Sequence, residues 1–322
     1  MKKRLSTIVF IIFIIIFAIY FFVSFEQFKI LLNVNLWLLS IIVIANLTNI
    51  ASNGLFIKII LKPYNKIIPI LESIFISLIS SVGNFFAPVG GGLGLRAVYL
   101  KKKFNLTYSD FISTLYGNYI IVFLVNSFVA LVALYLLREK PNGAYYLLLV
   151  LFSGIFGVCL ILSLVKVPVA TINKKLKKKP NKIVFILLEI LKGWNRIVEN
   201  KKLLLQLILL STFNLSVTIF ISWLEIKALH LSISLPSLLL FSVLGSLSLF
   251  VNITPANLGV KEAIFIFSGS VIGFSTSEIL SIALVDRGIL FLVLFVSWLL
   301  MPRLSKLFNV SIKNLQKTPA TK

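Results

Sequence analysis

Charge is scarce in this chain, and where it stands among apolar residues it gathers in three places. One is Pro88-x-Gly-Gly-Gly-x-Gly94-x-Arg96, another is Pro255-x-x-x-Gly259-x-Lys261-Glu262, and the third is Asp286-Arg287 inside a long apolar run. Glycines ahead of a cation form a close-packing backbone with accessible N–H groups, which beside Arg96 suits a phosphate or carboxylate. The same glycines also serve tight helix packing in lipid. An ionisable residue at membrane depth costs several kcal/mol unless paired or hydrated, so Lys261 and Glu262 count as functional candidates by default. The other reading of that pair is a shallow tip where it only solvates a loop. Adjacent residues on a helix do not face each other, so Asp286 and Arg287 each need a partner elsewhere, in transport or in a structural ion pair. Glu72 is a weaker candidate for the same network.

Other chemistries lack their residues. Asp110 and Asp286 are the two aspartates, too few for a carboxylate pair holding a metal-bound diphosphate. One cysteine (Cys159) excludes a disulfide framework and a cysteine metal cluster, and one histidine (His230) excludes most zinc chemistry. Gly92-x-Gly94-x-x-Ala97 formally fits a dinucleotide fingerprint but has no strand before it. Neither a catalytic set, nor a metal site, nor a cofactor is expected.

The elements that must position these charges are read from composition. Hydrophobic residues make up 59% of 322, charged residues 13%, and mean hydropathy is +1.03; a soluble globule cannot bury that much, so lipid is the solvent. The excess of 32 basic over 10 acidic residues, net +22, reads as the lysine bias of cytoplasmic loops and contact with anionic headgroups rather than nucleic-acid binding. A spanning helix needs about 20 apolar residues. Residues 5–23, 30–57, 108–137, 144–165, 203–226 and 279–300 satisfy this, whereas 67–100 and 236–274 are broken near the middle by proline and glycine. The expected fold is an all-α integral membrane protein with six spanning helices and two broken re-entrant hairpins.

The halves superpose at an offset of 165–168 residues. Asn46, Asn49 and Asn53 match Ser211, Asn214 and Thr218; Asn84 and Pro88 match Asn252 and Pro255; Leu93-Gly94-Leu95-Arg96 matches Leu258-Gly259-Val260-Lys261; Ser109-Asp110 matches Ser277-Glu278. Counting lysines puts both termini inside, and only a first hairpin that dips in and returns keeps Lys101, Lys102 and Lys103 there too. The second hairpin then enters from outside, which makes the repeat an inverted one and its broken segments the pointer to a transport site. The layout is an anchor helix at 5–23, repeat 1 at 30–137, a connecting helix at 144–165, a basic cytoplasmic loop with an amphipathic helix at 166–202, repeat 2 at 203–300 and a basic tail at 301–322. Within the loop, Ile183, Ile186, Leu187, Ile190, Leu191, Trp194, Ile197 and Val198 recur at helical spacing, as on a helix lying along cytoplasmic headgroups. Trp37, Trp223 and Trp298 lie near span ends as interfacial anchors.

These hairpins and the Asp286-Arg287 pair resemble the lysylphosphatidylglycerol synthase transmembrane-region family, the flippase half of the multiple peptide resistance factor, over roughly residues 5–305. The resemblance implies a flippase moving an aminoacylated phospholipid between leaflets, with Arg96, Lys261, Glu262 and Arg287 facing substrate. Only a basic tail follows the last helix, so no lysyl-lipid synthase activity is expected, and Tyr116-Gly117-Asn118-Tyr119 stands where the second half has Asp286-Arg287. With the repeat, the candidate substrate-binding set is Arg96, Lys261, Glu262, Asp286, Arg287, Asn84, Asn252, Gly94, Gly259, Asn49 and Asn214. The expected function is translocation of an anionic or aminoacylated phospholipid, or another lipid-linked substrate, across the cell membrane. Its rivals are a membrane subunit that docks a separate glycosyltransferase or aminoacyltransferase, and a polyprenyl-phosphate-handling membrane protein. Single cysteines placed at 101–103 in a Cys159-free chain should resist an impermeant thiol reagent added outside; labelling there would remove the basis for an inverted repeat.

Overall fold

In a computed structural model the chain is described over residues 36–86, 91–139, 141–166, 168, 169, 172, 181–248, 250, 254, 257 and 259–307. The regular elements among these residues are all helical: α1 (Leu36–Ile60), a 3-10 turn (Lys62–Tyr64), α2 (Ile70–Phe86), α3 (Gly91–Phe104), α4 (Tyr108–Leu136), α5 (Gly143–Leu164), α6 (Lys182–Glu199), α7 (Lys201–Ala228), α8 (Leu235–Ser248), α9 (Val260–Ile272) and α10 (Thr276–Leu307). Five stretches are long and apolar enough to cross a membrane: Leu36–Tyr64, Tyr108–Leu136, Gly143–Leu164, Lys201–Ala228 and Thr276–Lys306. They coincide with five of the six expected spans. The sixth, at 5–23, lies outside the described residues, as do Asn252, Pro88, Pro255, Lys174 and the tail beyond residue 307.

Polar caps set the helix starts. Thr107 accepts from the Asp110 N–H at 3.0 Å ahead of α4, Asn142 from the Tyr145 N–H at 2.9 Å ahead of α5, and Asn200 from the Leu203 N–H at 3.0 Å ahead of α7. Before α10, the Ser275 N–H and hydroxyl both donate to Glu278, at 2.8 and 2.7 Å.

Each broken segment is a pair of helices packed on one another, α2 on α3 and α8 on α9. Glycine permits the first: a Cβ on Gly83 would lie 2.7 Å from the Gly92 Cα. Aromatic stacking fills the second, with Phe241 and Phe265 ring centroids 4.1 Å apart. α3 begins at Gly91, so Gly92 and Gly94 occupy its first turn rather than an open tip. Around the hairpins α1 runs along α7, α2 packs on α10, and α8 packs on α4.

The amphipathic helix forms, but protein covers much of its apolar stripe. Leu188, Trp194, Ile197 and Val198 of α6 are buried, while Phe185, Ile186 and Leu187 near its start remain exposed. Gly193 lets α4 approach so closely that a Cβ there would collide with Ser113. Ser113 Oγ donates to the Glu189 carbonyl at 2.9 Å, and the Trp194 indole donates to the Leu162 carbonyl at 2.9 Å. The headgroups expected to receive this face are thus largely replaced by α4 and α5.

The two neighbouring glycines of α3 separate packing from conformational effects. A Cβ on Gly92 would overlap the Ser80 carbonyl and lie 2.7 Å from Asn84 Oδ1, whereas nothing lies within 4 Å of one on Gly94. Gly92→Ala should cost about 1–3 kcal/mol and lower the melting temperature in detergent, and Gly94→Ala should not.

Candidate functional site

The matched polar faces of α1 and α7 meet each other. Asn49 Nδ2 donates to Thr218 Oγ1 at 3.0 Å, and Asn214 Nδ2 donates to Asn49 Oδ1 at 3.0 Å and Ser52 Oγ at 2.7 Å. Below this seam the helices enclose a cavity of about 320 Å³, at the small end of ligand sites. Its polar wall includes Asn46, Asn49 and Asn53 of α1, Asn84 of α2, Asn118 of α4, Asn214, Thr218 and Glu225 of α7, Lys261 of α9, and Asp286 and Arg287 of α10. Phe85, Phe241, Phe265 and Leu290 supply its apolar wall. Six of the candidate substrate-binding residues (Asn49, Asn84, Asn214, Lys261, Asp286 and Arg287) therefore converge on one space.

Four charges of the second half form two closed pairs. Lys261 Nζ lies 2.6 Å from Asp286 Oδ2. Arg287 pairs with Glu262, its Nη2 donating to Oε2 at 2.7 Å, and also donates to the Asn257 carbonyl at 3.1 Å. Two successive residues of α9 thus bind two successive residues of α10. Glu262 additionally accepts from the Gly259 N–H at 3.0 Å, closing the first turn of α9. Gly259 holds φ +82°, where a side chain would be strained. Lys261 does not stand free for a substrate, as the sequence alone suggested; Asp286 already answers it.

Arg96 has no such partner. Its Nε donates to Ser80 Oγ at 3.1 Å, and no carboxylate reaches it among the described residues. It lines a smaller cavity of about 60 Å³ whose wall includes Asn53 and Asn118, both also in the wall of the larger one. The repeat offset gives the reason. Arg96 stands at the position of Lys261, but Ala97, Asn118 and Tyr119 stand where the second half has Glu262, Asp286 and Arg287. The first half keeps the cation and lacks both acids.

Other expected positions fall elsewhere. Gly94 is exposed and lines neither cavity, and Gly259 serves the α9 start rather than the wall. Glu72 belongs to a separate network at the far end of the first hairpin, accepting from the Tyr99 hydroxyl and pairing with Lys103 Nζ at 2.6 Å. Glu225 was not foreseen: it reads as a loop-side charge, yet it is 2% exposed in the cavity wall. Its signal was periodicity, since Asn214, Thr218, Ile221 and Glu225 share one helical face. Among the described residues no group of three or more His, Cys, Asp or Glu could hold a metal.

Removing Lys261 alone leaves Asp286 facing Glu225 without a counter-ion. Lys261→Ala should lose about 3–5 kcal/mol of stability, and Lys261→Ala with Asp286→Ala should recover much of it. Thermal melts of the purified single and double variants measure the difference.

No curated protein matches the chain. The model of the family described as the lysylphosphatidylglycerol synthase TM region matches residues 6–297, a range that holds both hairpins, the amide seam and all four paired charges. Five apolar helices of spanning length and this match make the protein a multi-pass membrane protein, and it belongs to the lysylphosphatidylglycerol synthase transmembrane-region family.

Proposed function

We propose that the protein translocates a lipid with an anionic or aminoacylated phospho-headgroup between the leaflets of the cell membrane. The observation that carries this reading is Arg96, which no carboxylate reaches among the described residues, beside a polar cavity inside an apolar bundle. A guanidinium in such a place needs a counter-ion, and a phosphate supplies one with bidentate geometry. The headgroup occupies the polar space while the acyl chains stay in lipid. The four paired charges of the second half sum to zero, which leaves Arg96 as the cation that answers an anion when the Glu225 carboxyl of the cavity wall is neutral.

The architecture in this proposal has six spans, both termini in the cytoplasm, and two hairpins entering from opposite sides as parts of an inverted repeat, 30–137 and 203–300. What supports the repeat is the pattern of helix contacts. Exchanging α1–α4 for α7–α10 turns the contact of α2 with α10 into that of α8 with α4, and the contact of α1 with α10 into that of α7 with α4. The α1–α7 contact maps onto itself. Alternating access then amounts to rocking of the two halves about the amide seam, exposing the site to one leaflet at a time. Chemistry on the lipid has no part in this reading.

Arg96→Ala should cut translocation of labelled phospholipid in reconstituted vesicles by tenfold or more while the melting temperature stays near wild type, because no carboxylate loses its partner. Arg96→Lys should recover only part of the rate, since a point charge lacks the planar fork. Normal translocation by Arg96→Ala would overturn the site, and loss of folding in that variant would assign Arg96 a structural role instead.

A further inference from the structure

Glu225 stands out among the buried groups of the cavity. It is 2% exposed and lines the wall. Its Oε1 is buried without a hydrogen-bond partner, and among the described residues no ion pair reaches the carboxyl. Ionising a carboxylate with one oxygen held this way is costly, because no donor replaces that oxygen's hydration.

The groups around it sharpen the problem. From α9 it faces Lys261, and from α10 Asp286; Lys261 is already bound to Asp286. Arg287 of α10 is tied to Glu262 of α9. The walls from α1, α2, α4 and α8 carry amides and hydroxyls (Asn49, Asn84, Asn118 and Ser242 among them) and no titratable side chain. The charges of α6 lie beside the opposite end of α7, more than about 30 Å away along its axis. One ammonium thus confronts two carboxylates. It neutralises one, and the other needs a proton.

We propose that Glu225 carries a proton that crosses with the anionic headgroup, making translocation an electroneutral lipid–proton symport. This rests on the translocation reading above and adds its energy source. With Glu225 protonated, the second half is neutral and Arg96 offers one positive charge to a singly negative headgroup. With Glu225 ionised, the walls of the two adjoining cavities and the paired Glu262 sum to zero and the headgroup meets a second negative group across the polar space. Proton binding and anion binding therefore strengthen each other by the same factor. The proton adds to the Glu225 carboxylate from water on the loading side and returns to water on the release side, so no electron moves and no bond other than O–H changes.

The test uses the full chain in phosphatidylglycerol vesicles with acyl-labelled phosphatidylglycerol, an impermeant quencher to read leaflet distribution, and pH gradient and voltage imposed separately. The expected result is accumulation of label in the leaflet facing the alkaline side, approaching about tenfold per pH unit for one proton per headgroup, with no response to voltage. Glu225→Gln should lose the response to the pH gradient, and Glu225→Asp, which keeps a titratable carboxyl, should retain it. Accumulation driven by voltage alone, or a Glu225→Gln protein as responsive to pH as wild type, overturns the proton. Phosphatidylglycerol crossing without any pH response removes the proton and leaves the translocation reading standing; phosphatidylglycerol that does not cross at all removes the symport and the anionic-headgroup form of that reading.

Discussion

An ion inside an apolar helix bundle must be answered by a counter-ion, by water or by a ligand, since low-dielectric surroundings offer no other way to hold it. Much of this fold follows from how that requirement is met. Lys261 and Glu262 each find a partner in the adjacent residues Asp286 and Arg287. Because neighbours on a helix point about 100° apart, satisfying both pairs at once fixes the rotation and the height of α9 against α10. Arg287 reaches further, to the Asn257 carbonyl, and the Asn257 side chain reaches the Ser248 carbonyl at the end of α8. One guanidinium therefore ties together both arms of the second hairpin and the last helix.

The first half shows what the same frame does without the acids. Its hairpin is held by glycine contact and by the Gly92 N–H on Asn84, and its cation is left over. The seam between the halves is likewise built from amides and hydroxyls rather than ions. Apolar side chains gain little by leaving lipid for protein, so close packing and interhelical hydrogen bonds carry the association. Asn49, Asn214 and Thr218 join the halves with modest, exchangeable bonds, which suits the rocking motion proposed above.

How much was legible beforehand depended on the kind of signal. Five of the spans could be read because about 20 apolar residues leave a helix little alternative in lipid. The broken segments could be read because proline and glycine interrupt them at matching places. The partners of Asp286 and Arg287 were demanded by helix geometry but not identified by it, since nothing local to residues 286 and 287 points to residues 261 and 262. Lys261 and Arg96 looked alike in their motifs and differ in what faces them, a difference written about twenty residues downstream in Asn118 against Asp286. Glu225 escapes notice because a glutamate near a helix end and a lysine reads as a surface group, and only its register with Asn214 argues otherwise. The docking of α6 depends on Gly193, whose role is visible only once α4 lies against it.

That docking has a mechanical side. α6 ends at Glu199 and α7 begins at Lys201, with Asn200 alone between them and engaged in capping α7. A joint one residue long has almost no slack. Yet α6 is clamped to the first half through Ser113 and to the connecting helix through the Leu162 carbonyl. A tilt of α7 relative to α4 must therefore be absorbed at Asn200 or passed into α6 as torque.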